Sequence, residues 1–137
     1  MRDTADHRAV LDTNILVSAT LSGSGAPRKL IEALARRHFD GAISDDTYAE
    51  YVEVLKRPKF GFSSRDIRNL LAMVRHHSRH YTAIPQPERT PDPDDQPFWD
   101  LAVTADAALV TGNVKDFPPS PRVRTPREFH DELSAGA

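Results

Sequence analysis

Four separate stretches of this chain set an acidic or amide side chain where an α/β fold does its chemistry. Asp12 closes the short apolar run RAVLD (8–12). Glu50 lies in the first turns of a helical pattern in which Tyr48, Tyr51, Val52 and Leu55 recur at i, i+3, i+4 and i+7. Asp95 stands just before the helical segment PFWDLA, and Asn113 and Asp116 follow the apolar run ALVT (108–111). Ligands of an open parallel sheet gather outside the carboxyl ends of its strands. Each of these stretches either ends a strand at that edge or starts a helix there. Carboxylates that converge need a cation, because like charges in one cleft otherwise raise each other's pKa and neutralise. All-oxygen donors select hard ions such as Mg²⁺ or Mn²⁺, which keep waters and bind phosphate. Hydrolysis of a phosphodiester is the chemistry such a site performs best.

The elements that must position these residues follow from periodicity and punctuation. Residues 26–39 read as a helix with Pro27 in its first turn and Leu30, Ile31 and Leu34 on one face. GAIS (41–44) is a strand, and Ser44, Asp45 or Asp46 caps the next helix, which stops before Pro58. A Ser63/Ser64 cap opens a third helix to about Arg79, with Ile67, Leu70, Leu71 and Val74 as its apolar stripe, and YTAI (81–84) reads as a strand. Five prolines in 85–97 make a stiff loop before a helix over about 96–105. ALVT and RVRT (122–125) are strands, and a last helix runs from Pro126 to Leu133. Strands alternating with helices predict an α/β fold: a three-layer α/β/α sandwich around a mostly parallel sheet. One domain over residues 8–133, with flexible tails at 1–7 and 134–137, is the expected organisation.

Each candidate also has a plainer role to play. Asp12 suits the N-cap of a helix starting at Thr13. Glu50 suits a solvated helix face, and one of Asp92, Asp94 and Asp95 must act as a turn former or cap. Only the shared sheet edge lifts the set above those roles. Arg65, Arg68, Arg75 and Arg79 fall along one stripe of the third helix, which suits a solvated face or an RNA- or partner-binding track. Lys56, Arg57 and Lys59 are accounted for by the dipole at a helix C-terminus, as are His76, His77 and His80 at the end of the next helix.

Composition narrows the classes. At 39% hydrophobic and 28% charged residues the chain is an ordinary globular one rather than disordered. The absence of cysteine excludes disulfides, thiolate metal sites and cysteine nucleophiles. No apolar run approaches the ~18–20 residues of a membrane span, and MRDTADH has no apolar signal core, so a cytoplasmic protein with no membrane partner is expected. The net charge of −2 is uninformative, but residues 28–79 are basic overall and residues 80–116 acidic. That asymmetry suits a protein holding a polyanion near a cation site.

In order and spacing, AVLDTNILVSA (9–19), ISDDTYAEYVEVLKRPKF (43–60), DPDDQPFWDLAVTADAALVTGNVKDFP (92–118) and RVRTPREF (122–129) resemble a PIN-domain protein. The nearest branch in pattern is that of bacterial toxins of toxin–antitoxin pairs, similar to VapC-type toxins. The resemblance implies a Mg²⁺- or Mn²⁺-dependent ribonuclease with an RNA substrate, a cognate antitoxin as protein partner, and a homodimer as a further option. It implies Asp12, Glu50 and Asp95 as catalytic metal ligands. Asn14 matches the position that orients the first Asp, and Thr111 the small polar residue before the last acid position. Thr13 and Asp116 stand beside these as supporting residues, although the family pattern gives Asp116 no role. Where many relatives have an Asp two residues after that Thr, this chain has Asn113. Asn113 can bind a metal through its carbonyl or through a held water but adds no charge. Three carboxylates suffice for one ion, whereas a second ion loses a charged ligand.

Endoribonuclease is therefore the leading expectation. The alternatives are a PIN-like module that binds RNA or protein with weak or no cutting, and a phosphatase with an Asp nucleophile. The phosphatase pattern has a second Asp two residues on, where this chain has Asn14.

Overall fold

The computed structural model describes residues 7–136, so residues 1–6 and 137 of the expected tails lie outside the described residues. The chain runs β1 (Arg8–Leu11), α1 (Thr13–Leu21), α2 (Ala26–Ala35), β2 (Asp40–Ile43), α3 (Asp45–Leu55), α4 (Ser64–His76), β3 (Ser78–His80), α5 (Gln96–Ala105), β4 (Ala108–Val110), β5 (Val123–Arg124) and α6 (Pro126–Ala135). All five strands are parallel, in the order β3-β2-β1-β4-β5. The expected sandwich is present, with a sheet that is wholly parallel. α5 packs across β1, β2 and β4, while α1, α2, α3, α4 and α6 form a connected layer of their own.

β1 takes the centre because it can be buried on both faces, as parallel strands must be. Ala9, Val10 and Leu11 are all buried, flanked by Ile43 of β2 and Leu109 and Val110 of β4. Asp12 N–H extends the ladder by donating to Val110 O at 2.9 Å. The next residue turns into α1, so the chain changes direction at the first acid. α3 is fixed at both ends of its first half. Ser44 and Thr47 form a capping box at its start, and Tyr51, fully buried, donates its hydroxyl to Leu11 O at 2.5 Å. That bond ties the second turn of α3 to the carboxyl end of β1.

Four boundaries differ from those expected from the sequence. The third helix ends at His76, where His77 N–H returns to Met73 O at 3.0 Å, and not at Arg79. The strand that follows is Ser78–His80, pairing with Gly41, Ala42 and Ile43, and not YTAI; only Tyr81 N–H reaches the ladder, at Ile43 O. An edge strand has one neighbour and much solvent, so it carries no apolar alternation, and Ser-Arg-His reads as a helix end. Arg79 and His80 thereby leave α4. The helix expected over 26–39, α2, ends at Ala35, because Arg37 adopts a left-handed φ of 60° and turns the chain. Phe39 then packs edge-on against Phe129 of α6, 5.2 Å between centroids. α6 itself continues to Ala135, two residues into the expected C-terminal tail.

Replacing Tyr51 with Phe removes a buried hydroxyl and leaves Leu11 O without its donor. The expected cost is about 1–2 kcal/mol, seen as a lower urea midpoint with an unchanged denaturant slope.

Candidate active site

Asp12 is the most enclosed acid, only 6% exposed. Its Oδ1 accepts from Thr13 N–H and its Oδ2 from the Thr111 hydroxyl, both at 2.8 Å. The Thr111 oxygen in turn accepts Asn113 N–H at 2.9 Å, which fixes the hydroxyl so that its proton points to Asp12. Asp12 thus fills the helix-cap role that its position predicts, and still presents a carboxylate at the sheet edge. Burial raises its pKa most; the bonds from Thr111 and Thr13 oppose this, and the charge of Asp116 adds to it.

Thr13 links two acids. Its amide holds Asp12, and its hydroxyl donates to Glu50 Oε2 at 2.5 Å. Glu50 is half-buried, and its pKa is raised first by burial and then, against the Thr13 bond, by the charges of Asp12, Asp94 and Glu53. Asp95 arrives from the other side of the sheet, at the N-cap position of α5, where it makes no capping hydrogen bond. Asp92 caps the preceding 3₁₀ turn, Pro93–Asp95, with its side chain accepting Asp94 N–H at 2.9 Å. Asp95 is pushed up to about 7, by burial first and then by Asp12, Asp116, Asp92 and Glu50. Asp116, in a 3₁₀ turn at Val114–Asp116, belongs to the same electrostatic cluster.

β1, α3, the start of α5 and the turn after β4 therefore bring Asp12, Glu50, Asp95 and Asp116 into mutual range. Asn113 is exposed, and its backbone serves the site by holding Thr111. Asn14 is exposed on α1; the two hydrogen bonds to the Asp12 side chain come from Thr13 and Thr111. Arg65, Arg68 and Arg75 stand on the exposed side of α4, whereas Arg79 lies in β3. His80 has left the helix end for β3, where its Nε2 meets Asp45 Oδ1 at 2.7 Å.

The donor set suits a hard divalent ion: it is all oxygen and of one sign, and the charges raise one another where a cation would lower them. The set is not closed around one point. Among the described residues no three acidic or histidine side chains form a metal-binding group. One Glu50 oxygen is held by Thr13, and both Asp12 oxygens have donors.

The pattern of the PIN domain family matches residues 8–115, most of the chain. The chain is a PIN-domain protein. PIN domains are typically nucleases, and those nucleases typically use divalent metals. The match spans Asp12, Glu50, Asp95 and Asn113 and stops one residue before Asp116. No curated protein matches the chain. Among the described residues of this PIN domain, no helix is long and apolar enough to cross a membrane.

Periodicity could not reveal the two threonine bonds or the nearness of Asp116, since Thr13 and Glu50 are 37 residues apart and Asp12 and Thr111 are 99 apart. The signal available was a threonine at the end of both central strands, Thr13 after Asp12 and Thr111 after Val110.

The raised acids fix a sign for pH dependence. A carboxyl whose folded pKa lies above its unfolded value binds protons more tightly when folded, so stability falls as pH rises through the folded pKa. Without divalent ions, the melting temperature should rise as pH is lowered from 8 towards 5. Asp95→Asn should flatten that rise and melt roughly 2–5 °C higher than the parent at pH 8, a modest figure because Asp95 is only partly buried. Differential scanning calorimetry across pH checks both.

Proposed function

We propose that this PIN domain hydrolyses RNA phosphodiester bonds, with Asp12, Glu50 and Asp95 holding one Mg²⁺ or Mn²⁺. The observation that carries this reading is the convergence at one sheet edge of Asp12, held by Thr13 and Thr111, Glu50, tied to it through the Thr13 hydroxyl, and Asp95 at the start of α5, whose carboxyl feels the charge of both. When bound, such an ion supplies Lewis acidity towards a phosphoryl oxygen and towards water. Asp12, locked by Thr13 and Thr111, gives the site its fixed point. Glu50 and Asp95 complete the ligand set from the two helix starts, and Thr13 holds Glu50 in reach. Asp116 adds negative charge beside Asp12 and Asp95. Asn113 and Asn14 serve through neutral amides that position water. The physiological role we propose is that of a toxin paired with a cognate antitoxin, in the manner of VapC-type proteins.

A second reading has its own support: a PIN-like module that binds RNA or a protein partner and cuts weakly or not at all. The uncharged Asn113 and the absence of a closed metal group among the described residues favour it.

Calorimetric titration of Mn²⁺ into the wild type and Asp12→Asn separates the two, run beside cleavage of a mixed RNA pool. Saturable binding that Asp12→Asn loses, with cleavage reduced by at least about 10²–10³-fold and an unchanged far-UV spectrum, is the expected result. Mn²⁺ at millimolar concentration should also raise the wild-type melting temperature and leave Asp12→Asn unmoved, as selective binding to the folded state requires. Equal cleavage by Asp12→Asn would overturn the nuclease reading at these residues.

A further inference from the structure

The connection between α3 and α4 carries a charge that the site does not use. From Val54 to Arg65 the sequence is VLKRPKFGFSSR, with four cations and no acid. The helix dipole accounts for them only in part: α3 ends at Leu55. Lys56 is the C-cap, Arg57 and Lys59 lie beyond it, and the dipole's influence fades outside the last turn.

The segment is held in a definite shape. A 3₁₀ turn at Pro58–Phe60 closes with Gly61 N–H on Pro58 O at 3.1 Å. Gly61 has a φ of 65°, the left-handed conformation that lets the chain double back. Phe60 and Phe62 then stack, 5.5 Å apart and 11° from parallel, while packing partly against the core. Lys59 Nζ sits 5.2 Å from the Phe60 ring centroid, so its ammonium is displayed over a fixed aromatic surface.

The cationic turn also adjoins the acids. Glu50, Glu53 and Arg57 follow one another at i, i+3 and i+7 along one side of α3. Arg57 makes two bonds to Glu53, at 2.9 and 2.8 Å, and Glu50 and Asp94 both act on its charge. From Glu50 to Lys56 the helix advances ~9 Å at 1.5 Å per residue, a short length of nucleic-acid strand. A polyanion lying on the carboxylate edge is repelled there unless a cation intervenes. Fixed positive charge at the far end of α3, about 9 Å along the helix from Glu50, supplies an attraction that steers and holds it.

We propose that the turn Lys56–Phe62 is a backbone clamp for single-stranded RNA, in which Lys56 and Lys59 take the phosphates flanking the one at the acidic edge. Arg57 holds the end of α3 through Glu53. The inference rests on the nuclease reading and names the path of its substrate. It puts that path over the α3–α4 turn, and not along the arginines of α4.

Fluorescence anisotropy with a labelled single-stranded oligoribonucleotide tests it, with EDTA present so that neither metal nor cleavage enters. The proteins are the wild type, Lys56→Gln/Lys59→Gln and Arg75→Gln, each checked for an unchanged melting temperature. The double variant should bind about 10-fold more weakly near 100 mM salt, with the slope of log K against log salt reduced by about 1.4, or ~0.7 for each phosphate left without its lysine. Arg75→Gln should match the wild type. Unchanged affinity and slope in the double variant would overturn the clamp. A loss confined to Arg75→Gln would overturn it in favour of α4. Cleavage is read in a parallel mixture with Mn²⁺ in place of EDTA: if the wild type cuts RNA there but the double variant binds and cuts equally well, only the clamp fails. If the wild type neither binds nor cuts, the nuclease reading fails and takes the clamp with it.

Discussion

Burying one carboxylate organises this molecule. An ionised Asp shut away from water is costly unless hydrogen bonds replace its hydration, and Asp12 at the end of the central strand is almost wholly enclosed. Its two donors come from opposite ends of the chain: the amide that starts α1 and the hydroxyl that ends β4. Satisfying Asp12 therefore forces β1 and β4 into register and makes α1 turn away at once. It also places Thr13 where its own hydroxyl meets Glu50. The burial is still only partly compensated, as the raised pKa of Asp12 records.

The approach of Asp95 depends on a different device. A loop rich in proline gives up little conformational entropy when it is fixed, and here polar side chains complete the fixing. Gln96 receives Thr90 N–H at 2.8 Å and donates to Glu88 O and to Asp100 Oδ1, both at 2.9 Å. Asp100 also accepts Gln86 N–H at 3.0 Å. Asp100 is a strut of the loop, where helical geometry alone would leave it a surface residue. Asp95 stands at the end of this braced segment with no cap bond of its own, so its carboxylate is left for the cluster.

What the sequence made legible follows the range of the forces involved. The bounds of α5 and the places of Asp12, Glu50 and Asp95 at one sheet edge could be read from local periodicity, caps and the rule for parallel sheets. The ligand set remains a proposal, but its convergence was visible in the order of the elements. Interactions between distant segments were not visible. Ser78–His80 pairs with β2 through backbone groups that any residue provides, so nothing in its side chains announced a strand. The arginine stripe lost Arg79 for the same reason. The cations after α3 do follow a helix C-terminus, as their place in the sequence suggested, but the 3₁₀ turn and the stacked phenylalanines that hold the segment beyond Leu55 had no local signal.

The bond between Thr111 and Asp12 also bears on the chain's history. β1 is made first, yet it lies between β2 and β4, and its acid is completed by a residue 99 positions later. Pairings of such long range come late in folding, and a chain emerging from its N-terminus cannot form this one until β4 has been synthesised. Until then Asp12 and Glu50 are two carboxylates on an unfinished sheet, lacking Thr111, Asp95 and Asp116. The order of synthesis thus keeps the acidic edge unassembled until β4 has been made.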